Sequence, residues 1–152
     1  MPKLVSLVKY WAPVIAWMLL IFVASGDLMS AEHTSRFLIP FLLWIAPGIS
    51  PATIASTQLL MRKSAHLTEY AILAVLLWRG IHQRQAGSWR AAVIALVAAA
   101  LYASFDEFHQ SFIPSRTGTP RDVVIDCCGA ILGLAIASSW SRRRARDSNL
   151  KS

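Results

Sequence analysis

The stretch VVIDCCGAILGLAIASSW occupies residues 123–140 and contains a single charged residue. A helix of this length and polarity can cross a bilayer, whose apolar core requires about 20 mostly apolar residues. Five basic residues follow the stretch: Arg142, Arg143, Arg144, Arg146 and Lys151. A basic segment directly after an apolar helix is typical of the cytoplasmic side of a membrane. The stretch therefore predicts a spanning helix whose carboxyl end faces the cytoplasm.

Three further apolar runs precede this stretch, at residues 10–25, 65–78 and 91–105. The second and third reach spanning length when they are extended to Arg62 and Glu107. Of the 152 residues, 55% are hydrophobic and only 15% are charged, whereas about a quarter of a soluble domain is charged. The sequence thus predicts an all-α fold, a polytopic membrane helical bundle of about four transmembrane helices.

The segment between the first two runs, residues 26–62, is predicted to be more than a linker. Its apolar part, residues 37–46, is too short to span a membrane and contains Pro40. This part predicts an interfacial or re-entrant helix in the first outside loop. Ser50 and Pro51 then resemble an N-cap followed by proline at the first helical position. Because no helix breaker follows before Gly80, one long helix is predicted to start outside and cross the membrane.

Basic residues set the predicted orientation in the cytoplasmic membrane. With both termini in the cytoplasm, the inside segments hold ten of the Lys and Arg residues and the outside segments hold five. This bias agrees with the positive-inside rule and explains the net charge of +7 without a nucleic-acid partner. The predicted domains are a transmembrane domain at residues 1–140 and a basic cytoplasmic tail, expected to be disordered, at residues 141–152.

The first apolar run has an alternative interpretation as a cleaved signal peptide. Lys3 and Lys9 precede it, and it ends in small residues at positions 24–26. Trp11 and Trp17 favour a retained span, because aromatic residues of this kind are enriched at membrane interfaces.

Three groups of polar residues lie at the predicted outer ends of the spans. Ionisable residues inside a membrane are costly unless they are paired or hydrated, so each group is a functional candidate. The first group places an amine, an imidazole, a carboxylate and a phenol on neighbouring positions of one helix: Lys63, His66, Glu69 and Tyr70. The alternative is a lysine–glutamate pair that lets a polar helix end enter the bilayer.

The second group follows the third apolar run. It consists of Asp106, Glu107, His109 and Gln110, with Arg116 a few residues later. Adjacent carboxylates close to a histidine can polarise a proton or hold a cation. The alternative is a solvated helix end that these residues cap.

The third group begins the last apolar run. Asp122, Asp126, Gly129 and Gly133 fall on one stripe of a helix. The glycines predict close packing against a neighbouring helix. Asp126 lies about one turn inside the apolar run, so it requires a cationic partner, for which Lys63, Arg116 and Arg121 are the candidates.

Metal and cofactor motifs are not found in the sequence. The spacings of His66 with Glu69 and of Glu107 with His109 match no specific metal signature. Phosphate-binding loops, dinucleotide fingerprints and serine-nucleophile motifs are also missing from the sequence. We therefore predict no metal and no cofactor.

Taken together and in order, the three polar groups resemble the VanZ-like family. Residues 63–70 resemble its Lys-x-x-His-x-x-Glu-Tyr element, and residues 106–110 resemble its Asp-Glu-x-x-Gln element. An arginine, an aspartate and a glycine of that family match Arg116, Asp122 and Gly129. Asp126 stands where many relatives have asparagine. The resemblance extends over about residues 10 to 140.

The resemblance implies a membrane protein of the bacterial cell envelope with about four spans. The family takes its name from a member that lowers susceptibility to teicoplanin, a lipoglycopeptide antibiotic that binds peptidoglycan precursors. Transfer of that role would make the present chain an antibiotic-resistance protein.

The leading hypothesis is a polar site at the outer face of the membrane that binds a membrane lipid or a lipid-linked envelope ligand. Its predicted ligand-binding residues are Lys63, Tyr70, His109, Gln110, Arg116, Arg121, Asp122 and Asp126. The alternative is a membrane enzyme that performs acid–base chemistry on a lipid-linked substrate, with Glu107, Asp106, His66 and Glu69 as its catalytic residues. A small transporter or an assembly subunit is the third class, and the oligomeric state is left open.

Overall fold

The computed structural model describes residues 2–27, 30–82, 89–116 and 118–149. All regular secondary structure in these ranges is helical, so the all-α prediction is confirmed. In chain order they are α1 (Pro2–Ala24), α2 (Ala31–Ile45), α3 (Pro51–His82), α4 (Trp89–Gln110) and α5 (Pro120–Asn149).

Three of these helices are long and apolar enough to cross a membrane: Val5–Ala24 within α1, the whole of α4, and α5. They contain the first, third and fourth apolar runs and indicate a membrane protein. The second predicted run lies in α3, whose mean hydropathy is lowered by polar residues such as Arg62, Lys63 and Glu69. With 32 residues, α3 is about 48 Å long, which exceeds the thickness of a bilayer core.

Helix α3 lies at the centre of the bundle and contacts each of the other four helices. Its buried face includes Leu73, Ala74 and Leu77, and α1 packs against the core through Val14 and Ile21. Helix α4 presents a row of alanines at every fourth position, which is one face of a helix. The buried members of this row are Ala91, Ala95, Ala99 and Ala103. Small side chains of this kind let helix backbones approach closely.

Two glycines set the register between α3 and α5. A Cβ atom at Gly129 would overlap the carbonyl oxygen of Leu67, and one at Gly133 would overlap that of Ala71. The prediction that these glycines pack closely against a neighbouring helix is therefore confirmed. Both contacts advance in the same direction along the two helices, so α3 and α5 are parallel. This register places Lys63 and His66 of α3 level with the first turns of α5.

Helix α2 begins earlier than its apolar residues indicate. Ser30 is its N-cap, and the Ser30 side chain accepts a hydrogen bond from the backbone N–H of His33 at 3.4 Å. Its 15 residues extend about 22 Å, too short to span a bilayer. The Gln58 Nε2 atom of α3 donates to the Ser35 hydroxyl of α2 at 2.6 Å, which holds the two helices together.

The beginning of α3 agrees with the sequence prediction, but the end of α5 differs from it. The backbone N–H of Thr53 donates to the Ser50 hydroxyl at 3.1 Å, as expected of an N-cap before Pro51. Helix α5 continues beyond Trp140 to Asn149, into the residues that the sequence assigned to the basic tail. These residues include no glycine or proline, and arginine and alanine favour helices.

Candidate functional site

The parallel packing of α3 and α5 forms two polar contacts. The Lys63 ammonium forms an ion pair with the Asp122 carboxylate. One turn further, the His66 Nδ1 atom lies 3.1 Å from the Asp126 Oδ1 atom. The sequence predicted a lysine or an arginine as the partner of Asp126, and this prediction is wrong. The helix register places Lys63 opposite Asp122, and the imidazole is the basic group that reaches Asp126.

Helix α4 brings a second carboxylate to the same imidazole. The Glu107 Oε1 atom lies 3.9 Å from His66 Nδ1, and Glu107 Oε2 accepts a hydrogen bond from the backbone N–H of Thr119 at 2.7 Å. His66, Glu107 and Asp126 are all buried, and each offers an atom within 4.8 Å of the other two. We call these three residues the buried triad. Among the residues that the structure describes, they are the group that could hold a metal ion.

Asp106 belongs to a different set of contacts from Glu107. Its Oδ2 atom accepts hydrogen bonds from the Ser25 hydroxyl at 2.8 Å and from Gln110 Nε2 at 3.2 Å. Adjacent residues of a helix point about 100° apart, so Glu107 faces α3 and α5 while Asp106 faces the end of α1. Asp106 thus joins α4 to the end of α1 through Ser25, and Gln110 supports it from one turn further along α4. Both residues lie outside the buried triad.

Arg116 caps the carboxyl end of α1. Its Nη2 atom donates to the carbonyl oxygens of Ala24 at 2.6 Å and of Gly26 at 3.1 Å, and its Nε atom also donates to Gly26 at 3.2 Å. Carbonyl groups at a helix end otherwise need another donor. Burial lowers the pKa of the Arg116 guanidinium, and the carbonyl oxygens provide the hydrogen bonds that this half-buried charge requires. The predicted ligand-binding arginine therefore has a structural role.

The remaining predicted site residues occupy different surroundings. The His109 ring stacks on Phe22 of α1 with 4.4 Å between the ring centroids. Tyr70 is fully buried in the core, where its ring lies 6.4 Å from that of Tyr102. Arg121 is exposed, and Glu69 is half-buried. Of these four, only Glu69 shares a cavity with His66 of the buried triad.

A cavity of about 940 Å³ lies between α1, α2 and α3. Its walls are largely apolar and include Leu20, Phe37, Leu38, Phe41 and Leu59. Arg62, His66, Glu69 and Arg116 supply its charged groups. The Arg62 Nε atom is buried and has no hydrogen-bond partner among the described residues. The cavity thus combines an apolar volume with a cationic side chain whose Nε–H group has no partner among the described residues.

Sequence reasoning did not identify several residues of this site. It used Arg62 only as the extended end of the second apolar run and in the outer charge count, and it did not connect Ser25 or the Thr119 backbone with the carboxylates of α4. The position of Arg62 beside Lys63 at the start of the polar helix face was the available signal. For Ser25 and Thr119 no local signal exists, because their contacts depend on how the helices pack.

We expect Arg116→Ala to destabilise the fold by about 2 kcal/mol, because hydrogen bonds from a charged group contribute roughly 1.5–3 kcal/mol. For a protein of this size the apparent Tm in detergent should fall by about 5 °C. Arg116→Lys should not restore it, since an ammonium lacks the planar fork that reaches both carbonyl groups. The control is Arg121→Ala, an exposed site, and equal Tm values for the two alanine variants would contradict the capping role.

A comparison with protein-family models identifies the relatives of the chain. The VanZ/LLP1 model matches residues 10–141, which include all three polar groups and the buried triad. The chain belongs to the VanZ/LLP1 family. Comparisons with curated proteins and with solved structures gave no match. The family resemblance expected from the motifs is therefore confirmed, and this VanZ/LLP1 protein has the polar residues of that resemblance at one end of its bundle.

Proposed function

We propose that this VanZ/LLP1 protein crosses the bacterial cytoplasmic membrane four times, through α1, α3, α4 and α5. The contacts of Ser25 with Asp106 and of Thr119 with Glu107 bring the carboxyl ends of α1 and α4 next to the amino end of α5. This arrangement fits spans that alternate in direction, with α3 parallel to α5. Both termini then lie in the cytoplasm, together with the basic end of α5, and the polar site faces outward.

The proposed function is binding of a lipid-linked ligand of the cell envelope at this outward-facing site. The observation that carries the proposal is the cavity, because it offers apolar walls and buried charge within one volume. An apolar chain would occupy the part lined by α1 and α2, and an anionic head group would contact Arg62. Arginine binds phosphate oxygens through two parallel hydrogen bonds, and the unpartnered Arg62 Nε atom is a donor suited to this task.

This function connects the protein with lipoglycopeptide antibiotics. Teicoplanin-type antibiotics act on peptidoglycan precursors, which are themselves lipid-linked. A membrane protein that binds such a precursor at the outer face would change its access to the antibiotic. Lowered susceptibility to teicoplanin would then be a consequence of ligand binding.

We expect Arg62→Gln to weaken binding of a polyprenyl phosphate about tenfold, because loss of one charged hydrogen bond costs about 1.5 kcal/mol. Binding is measured with a fluorescent polyprenyl phosphate and the purified full-length chain in detergent. Arg36→Gln is the matched control, since Arg36 is an exposed residue of α2. Equal affinities for the two variants, or no binding by the unaltered chain, would overturn the proposal.

The same variants test the connection with the antibiotic in a susceptible Gram-positive host. At equal membrane levels, the unaltered chain and Arg36→Gln should protect against teicoplanin, and Arg62→Gln should not. Protection by Arg62→Gln at the level of the control would contradict a role for this cavity.

Acid–base catalysis on a lipid-linked substrate is the second candidate function. The observation that favours it is the buried triad, in which an imidazole lies within 3.1 Å and 3.9 Å of two carboxylates. Glu107→Gln separates the two functions, because loss of protection with retained binding of the fluorescent ligand indicates a reaction. Retention of both protection and binding contradicts the enzyme.

A further inference from the structure

We infer that the buried triad is a binding site for a divalent first-row transition-metal ion. Its three side chains come from α3, α4 and α5, so no local sequence motif contains all of them. The exposed fractions are 6% for His66, 5% for Glu107 and 0% for Asp126. Such burial of two ionised carboxylates is costly unless a positive charge lies at the same place.

The cationic side chains near the buried triad do not supply a positive charge to both carboxylates. Lys63 forms its ion pair with Asp122, and Arg116 donates to carbonyl groups of α1. A protonated His66 supplies one N–H at Nδ1, which can serve the Asp126 Oδ1 atom. Glu107 Oε1 and Asp126 Oδ2 then remain buried without a hydrogen-bond partner among the described residues. One divalent ion would neutralise both carboxylates and coordinate Glu107 Oε1 together with a carboxylate oxygen of Asp126.

The spacing of the ligand atoms fits such an ion. Metal bonds of about 2.1 Å at tetrahedral angles separate neighbouring ligand atoms by about 3.4 Å. The observed distances from His66 Nδ1 are 3.1 Å to Asp126 Oδ1 and 3.9 Å to Glu107 Oε1, which lie on either side of that value. His66 also lines the cavity, so the ion has a route of entry.

The ligand set indicates the class of metal. An imidazole nitrogen suits zinc, iron and related ions, whereas magnesium and calcium prefer sites made of oxygen alone. Three protein ligands also leave a coordination position open, as in metal sites that bind a further molecule. We therefore expect zinc to bind and magnesium not to compete with it.

The experiment measures metal binding by the purified full-length chain in detergent, carried on an affinity tag without histidine. After treatment with a chelator and dialysis against zinc, elemental analysis should give about one zinc ion per chain. Titration with Co²⁺ should produce visible absorption bands of a coordinated ion, and excess Mg²⁺ should leave them unchanged. The assay contains no lipid-linked ligand, so its outcome does not depend on the proposed function.

Two amide variants then locate the ion. Asp126→Asn and Glu107→Gln keep the shape of each side chain, and each should weaken zinc binding by at least about 100-fold, since even outer-shell changes cost about 10–100-fold. Asp27→Asn is the matched control, because it removes an exposed carboxylate of the first loop. Absence of bound zinc in the unaltered, helical chain would overturn the inference. Equal zinc affinities for the three variants would also overturn it.

Discussion

Gly129→Ala should remove most of the correctly folded protein from the membrane. A methyl group at this position would overlap the carbonyl oxygen of Leu67, and the overlap is with backbone that cannot rotate away. Overpacking of a tight core costs about 1–3 kcal/mol or more. We expect the upper part of this range, because α5 would have to move away from α3 and separate His66 from Asp126. Apparent Tm in detergent and the amount of protein in isolated membranes measure the effect.

Gly48→Ala is the matched control for this prediction. A Cβ atom at Gly48, in the loop between α2 and α3, has no neighbouring atom within 4 Å. The same chemical change should therefore leave the apparent Tm within about 1–2 °C of the unaltered chain, as for most surface substitutions. If Gly129→Ala were as stable as Gly48→Ala, the close approach of α3 and α5 would be refuted.

Gly129 and Gly133 also show how much of the fold can be predicted from local sequence features. Their spacing on one helix stripe indicates a close helix contact, and the N-cap at Ser50 marks the start of α3. Such features are local, since periodicity and capping depend on residues a few positions apart. The apolar runs likewise depend only on composition within a short window. For these reasons the helices were largely predictable.

The contacts of the site were predictable only in part. The sequence selected His66, Glu107 and Asp126 as candidates because ionisable residues inside a membrane are costly unless they are paired or hydrated. It could not pair them, because a pairing depends on the register between three helices that are separated along the chain. The same lack of register information explains why Asp126 was assigned a lysine or arginine partner and why Arg116 was assigned to a ligand.

Helix α2 shows a second limit of sequence reasoning. Its short apolar run was recognised, but the cavity that it forms with α1 and α3 was not. A cavity is defined by the space that packed elements leave between them, and no residue pattern encodes that space directly. Arg62 was missed for the same reason, because its proposed role depends on the residues of the other helices that line the cavity.

The ion pair between Lys63 and Asp122 gives the second large effect. We expect Lys63→Met to destabilise the fold by about 3 kcal/mol, because it leaves Asp122, whose side chain is 2% exposed, buried without its counter-charge. This figure is the low end of the range for broken buried pairs, since the amino end of α5 also stabilises the carboxylate. The corresponding fall in apparent Tm is about 5–10 °C. Lys9→Met, at an exposed lysine of α1, is the control and should have little effect.

A double-mutant cycle separates the ion pair from other losses at Lys63. Asp122→Asn alone should cost less than Lys63→Met, because the Lys63 side chain is 27% exposed and its ammonium can turn towards water. In the double variant no buried charge is left unpaired, so about 2 kcal/mol of the Lys63→Met loss should be recovered. Additive losses would instead mean that the two residues act independently. In that case the amino end of α5 alone would hold the buried Asp122 carboxylate, and the contact with Lys63 would contribute nothing to the stability of the bundle.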